Sequence, residues 1–186
     1  MNQDEIFKGY FLIATPEVDS GIFFRSVILV CEHNSSGTLG LIVNKTLDLT
    51  LPSEILDLGD IENSNMVICT SGPVQTNQLL LLHSSDEAPE HTLEVLKGVY
   101  LGGDLEFLQK AAGDAEGPAL RLCFGYSGWS PGQLEKEIVS GSWFVTPATK
   151  EHIFETPPQD LWRTLLREMG GRYAILSMIP DNLSLN

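Results

Sequence analysis

The chain has 186 residues, of which 42% are hydrophobic, and it carries 11 lysines and arginines against 25 aspartates and glutamates, a net charge of −14. That length and composition fit one folded domain over residues 1–186 rather than a disordered chain. The negative field excludes a general binder of nucleic acid or anionic membrane surface, and no apolar run reaches the ~18 residues that a membrane span needs.

The N-terminal stretch MNQDEIFKGYFLIATP puts acids and a single lysine before a short apolar run, without the basic start and long apolar core of a secretory leader. Cytoplasmic residence is the expectation. Within that stretch FLIAT (11–15), ended by Pro16, reads as a strand buried on both faces, and SVILVC (26–31) reads the same way. LGLIVN (39–44) follows the polar loop HNSSGT, whose Gly37 supplies the backbone freedom of a short hairpin, so strands near 26–33 and 39–44 are expected to pair antiparallel.

LTLPSEILDL spaces Leu51, Ile55 and Leu58 as a short helix after Pro52. MVICT (66–70) and QLLLLHS (78–84) read as strands joined by the turn SGPVQ, and TLEVLKGVYLG (92–102) as two more around Gly98. Asp104 is placed to cap a helix to about Ala112, with Gly113 beyond its end, and ALRLCF (119–124) returns as a buried strand.

The stretch GYSGWSPGQLEKEI (125–138) then reads as a glycine-rich turn into a helix, with Ser130, Pro131 and Gln133 in the N-cap, N1 and N3 places of a capping box. SWFVTP (142–147) is another strand. TPPQDLWRTLLREMGG gives a last helix, with Thr156 as cap, Pro157 as first residue, a stripe of Leu161, Trp162, Leu165, Leu166 and Met169, and a glycine stop.

Acids cluster in 47–65, where Asp48, Glu54, Asp57, Asp60 and Glu62 meet no basic residue, and again in 84–117, where only Lys97 and Lys110 oppose them. Such runs are read as solvated faces. Cys31, Cys69 and Cys123 each end an apolar run and form no Cys-x-x-Cys pair, as expected of buried reduced thiols.

Three chemistries can be tested on the motifs. The glycine turn does not suit a phosphate, because Pro131 removes a free amide and no Lys-Ser/Thr pair completes the site. GYSG places Ser127 where a hydrolase nucleophile could stand, but Trp129 occupies the position of the required glycine, and the acid that must precede His152 has only the weak candidates Glu135 and Glu137. Cys31 and His33 lie two apart on a strand and are expected to share a face, yet His83, His91 and His152 have no spacing that completes a zinc site. No metal and no cofactor are expected.

Taken in order, GYFLIATP, RSVILVCEHNSSGTLGLIVNK, SGPVQ with a later His83, and GYSGWSPGQLEKEI followed by SW resemble the AlgH/YqgE family of bacterial proteins. Ser71-Gly72 stands where that family usually has a glycine pair, and Thr46 where it commonly has a proline. The resemblance implies an α/β domain of the α+β type, with a largely antiparallel, strongly curved sheet and flanking helices, and no established reaction. One branch is named for a suggested role in transcriptional regulation, which the net charge of −14 makes more compatible with protein contacts than with DNA contact. The expected role is therefore a non-catalytic binding or regulatory module with an unidentified protein partner. Its candidate surface joins the 33–38 loop to the 125–133 turn and draws on His33, Asn34, Tyr126, Ser127, Trp129 and Gln133. The competing reading is a hydrolase-like enzyme that uses His33, Asn34 and Gln133 as its polar groups.

Overall fold

A computed structural model describes residues 7–87 and 89–181. The leader reading of residues 1–6 lies outside the described residues. Strand β1 (Tyr10–Ala14) shows why the apolar runs do not alternate with polar residues. Phe11 and Ile13 enter one core while Leu12 and Ala14 enter another on the opposite face, and all four are fully buried. In β2 (Val27–Asn34) the same split sends Val27, Leu29 and Cys31 one way and Ile28 and Val30 the other. The sheet is thus a middle layer, and strands buried on both faces need apolar side chains at every position.

The strands run in the order β6-β7-β5-β8-β3-β2-β1-β9, with β3 (Gly37–Ile42), β5 (Val74–His83), β6 (Leu93–Leu96), β7 (Val99–Leu101), β8 (Leu120–Trp129) and β9 (Trp143–Pro147). β4 (Met66–Thr70) lies beside β8 as the parallel pair, while the other pairings are antiparallel. The sheet curves without closing: a Cβ built on Gly9, just before β1, would lie 3.2 Å from the carbonyl of Val95 on the edge strand β6.

Helices cover both faces. On one, α4 (Pro158–Met169) buries Leu161, Trp162, Leu165 and Leu166 against the core of β1 and β2, with α3 (Lys150–Phe154) and α5 (Gly171–Leu176) beside it. On the other, α2 (Gln133–Val139) seats Leu134 over the β1–β3 half, and α1 (Leu105–Ala112) seats Leu108, Ala111 and Ala112 over the half around β4 and β8. Asp104 caps α1 as its sequence implies, accepting from the Phe107 amide at 2.8 Å.

Several local expectations need correction. The helix expected at 51–58 is a single turn, in which the Pro52 carbonyl accepts from the Ile55 and Leu56 amides. Ile55 is 69% exposed, so the stripe has too little to bury to offset the cost of helix nucleation. β5 begins at Val74, four residues before the expected start, and α4 begins at Pro158 behind Pro157 rather than at Pro157 behind Thr156. The largest revision concerns 125–129, expected as a turn: it continues β8 as strand.

Candidate binding groove

Ser71 and Gly72 cross β8 at Gly125–Ser127, and this crossing joins the two halves of the sheet. The first five residues of β8 lie between β4 and β5, whereas Ser127, Gly128 and Trp129 pair with Gly40, Leu39 and Thr38 of β3. At the changeover Ser71 is fully buried. Its amide donates to the Phe124 carbonyl, its hydroxyl donates to Ile42, and its own carbonyl accepts from the Ile42 amide at 3.1 Å and the Ser127 hydroxyl at 3.3 Å. Gly72 has φ +154, and a Cβ there would stand 2.0 Å from the Tyr126 carbonyl carbon. Gly125 has φ +72, and a Cβ there would meet the Gly72 carbonyl oxygen at 2.5 Å. These glycines, Gly125 inside β8 and Gly72 in the segment between β4 and β5, let two backbones touch.

Because β8 reaches β3, the two segments singled out in the sequence are neighbours. Thr38 at the end of the β2–β3 hairpin is paired with Trp129. Between them runs an open groove of about 440 Å³, with Glu32, Asn34, Ser36, Tyr126 and Ser130 among its lining residues. Asn34 shapes the hairpin tip by accepting from the Ser36 amide at 2.8 Å. Among the described residues that line the groove there is no lysine or arginine.

Of the residues expected at this surface, Asn34 is exposed on the groove and Tyr126 is half-buried along it. Ser127 is 1% exposed, with its hydroxyl committed to Ser71. Trp129 contributes to the groove wall, but its ring belongs to the core beneath α2 and is 6% exposed. Gln133 is exposed at the start of α2, where its Oε1 accepts from the Ser130 amide at 3.0 Å. That bond is one half of the expected capping box. The other half is missing, because Gly132, at φ 75, takes the N-cap position and no side chain caps it.

His33 lies outside the groove. Its ring stands edge-on to Phe7 with Nδ1 2.7 Å from the Thr38 hydroxyl and Nε2 3.4 Å from Glu135. It also does not share a face with Cys31, contrary to the simple alternation of a strand. A bulge between Val30 and Glu32 leaves Cys31 in the core on the α4 side, while His33 packs on Phe7 of the opposite core. Among the described residues no three His, Cys, Asp or Glu side chains come together as a metal site.

Glu137, weighed in the sequence only as a weak candidate for a hydrolase acid, has a role that the sequence reasoning missed. Its Oε2 accepts from the indole N–H of Trp129 at 2.9 Å and of Trp143 at 2.8 Å, and its Oε1 accepts from Gln133 at 3.0 Å. The two indoles meet edge to face. A sequence signal existed: buried indoles need an acceptor, and Glu137 lies one helical turn after Gln133.

Away from the groove, burial sets the other shifted groups. His83 is fully buried between Tyr100 and Phe107, and loss of hydration lowers its pKa to about 4. Burial raises the Cys69 thiol to about 11, and pushes Cys31 and Cys123 well above the usual range. All three are free thiols.

Comparison with known proteins places these features in a family setting. The model of the AlgH-like family (DUF179) matches residues 11–174. A UPF0301 protein of Chlamydia abortus is 51% identical over 96% of this chain and 95% of its own, and a UPF0301 protein of Chlorobium limicola is 34% identical over 98% and 97%. The solution structure of AlgH from Pseudomonas aeruginosa is 27% identical, with a TM-score of 0.72 over 98% of this chain and 97% of that one. A crystal structure of a protein from Corynebacterium diphtheriae has the same fold at 23% identity, with a TM-score of 0.73 over 96% of this chain and 100% of that one.

Proposed function

The chain belongs to the AlgH-like family, and from that premise we propose that it is a non-catalytic binding module, acting in the cytoplasm through protein contacts, whose docking surface is the groove between the β2–β3 hairpin and the end of β8. One observation carries the reading. Segments far apart in sequence are held in register by Thr38 with Trp129 and Leu39 with Gly128, and together they form an open groove rather than a closed reaction chamber. Glu32 is its charged lining group, so the partner that fits is an extended segment carrying a basic residue. Trp129 acts as the rigid support of this surface rather than as its exposed anchor.

Two of the polar groups that a hydrolase could use are engaged internally. The Ser127 hydroxyl points at a backbone carbonyl in the interior, and His33 is held by Thr38 and Glu135. Free buried thiols accord with a reducing compartment, and no described helix is long and apolar enough to cross a membrane.

The test is co-purification of the tagged full chain from its native host, comparing wild type with Glu32→Lys, Ser36→Trp and the distant control Glu116→Lys, each checked for native thermal stability. A partner retained by wild type and control but lost from both groove variants is the expected result. Equal recovery by all four proteins, or no partner at all, overturns the proposal.

A further inference from the structure

A second cavity, of about 420 Å³, lies between the 15–25 loop, α4 and the C-terminal turn, and it shares no lining residue with the groove. Its wall is largely apolar, built from Pro16, Val18, Phe24, Trp162, Ile179 and Pro180, and its size falls in the range of small-molecule sites.

In a chain of net charge −14, cations gather at this place. Arg25 lies with its guanidinium 4.8 Å from the centre of the Trp162 ring and 5.2 Å from that of Phe24, and its side chain is 13% exposed. Lys45 also stands by Phe24, its Nζ 5.9 Å from the ring centre and donating to the Phe24 carbonyl at 2.6 Å. Arg163 projects from α4 and shares its anionic partner with Arg25.

That partner is Asp181. Arg25 donates to its Oδ1, and Arg163 donates to the same oxygen at 2.9 Å. The two arginines also donate to C-terminal carbonyls: Arg25 to Ile179 and Pro180, Arg163 to Ser177 and Ile179. Arg25 holds this position at φ 51, a left-handed conformation that is unfavourable for a non-glycine residue. The strain points to a required side-chain position.

We infer that this cavity is a binding site for a small carboxylate with an apolar body, and that Asp181 occupies its anion position from within the chain. Arg25 on the cavity wall and Arg163 beside it supply charge-assisted donors to a carboxylate, and the aromatic wall accepts the body. The occupant can be displaced. Asp181 is 74% exposed, and ion pairs made by so exposed a group contribute little to stability. Asp19 also lines the cavity, which disfavours ligands with a second negative charge. Asp181 acts as a tethered competitor, so an external carboxylate binds more weakly to the intact chain than to one without that side chain.

The experiment titrates octanoate into the ¹⁵N-labelled full chain and follows the Trp162 indole N–H, with octanol and acetate as probes lacking the charge or the body. The expected result is a saturable shift with octanoate, an affinity roughly tenfold tighter in Asp181→Asn, and loss of binding in Arg25→Gly, whose glycine suits the left-handed backbone. Octanol and acetate should not saturate. Arg163→Gln gives an independent reading if Arg25→Gly fails to fold. Three results overturn the inference: no saturable shift in Asp181→Asn, equal affinity for octanol, or unchanged affinity in the folded arginine variants. A purely structural latch would give the first of these, with Asp181→Asn less stable and no ligand bound.

Discussion

Replacing Gly72 with alanine places a methyl group inside the crossing of two backbones. Its Cβ would stand 2.0 Å from the Tyr126 carbonyl carbon, 2.1 Å from its oxygen and 2.4 Å from the Ser127 nitrogen. None of these atoms belongs to a side chain that can swing aside, so β8 or the 71–74 segment must shift. Overpacking of this kind costs about 1–3 kcal/mol, and an unfavourable φ adds about 1–3 kcal/mol. A loss near 4 kcal/mol lowers Tm by roughly 8–16 °C for a domain of this size. Gly21→Ala is the matched control: its φ of +73 is also unfavourable, but nothing lies within 4 Å of the added Cβ. Urea and thermal unfolding of both variants should show Gly72→Ala destabilised by at least about 2 kcal/mol more than Gly21→Ala. Equal destabilisation would refute the idea that close backbone approach fixes this glycine.

Removing the carboxylate of Glu137 strands two indole N–H groups, so Glu137→Ala should cost about 2–4 kcal/mol in urea unfolding, with Glu137→Gln milder because its amide oxygen still accepts. The depressed pKa of His83 gives a signed pH effect. The folded state resists protonation, so stability is full above the ordinary histidine value of 6.5 and falls as pH drops from there to about 4. His83→Phe should flatten that slope relative to wild type, and the ring resonances of His83 should not titrate above about pH 5. The three buried thiols should react with a disulfide reagent only after unfolding, and a native protein that consumed one equivalent within minutes would contradict their placement.

The sequence was most informative where neighbours in the chain determine the structure. The unbroken apolar residues of β1 and β2 announced strands buried on both faces, and Asp104 announced the start of α1. It was least informative where distant backbones meet. Gly125 and Gly128 resemble turn glycines, yet they lie within a continuous strand, because the Gly72 crossing that shapes this strand is some fifty residues away in sequence. The bulge at Cys31 was hidden for a related reason. One extra residue moves His33 to the other face, and nothing in the residue types around it marks the insertion. The sequence singled out the 33–38 and 125–133 segments separately; their adjacency rests on the β3–β8 pairing, and the burial of Trp129 depends on Glu137 supplying its acceptor.

The most direct test of the groove as a docking surface is site-specific photo-crosslinking in living cells. A photoreactive residue is placed at Ser36 and, separately, at Ser130, the two walls of the groove, with a control at the exposed Glu116. The expected result is the same discrete adduct from both groove positions, absent from the control and lost when Glu32→Lys is added. Adducts that differ between the two walls, that form equally from Glu116, or that fail to form would contradict the account.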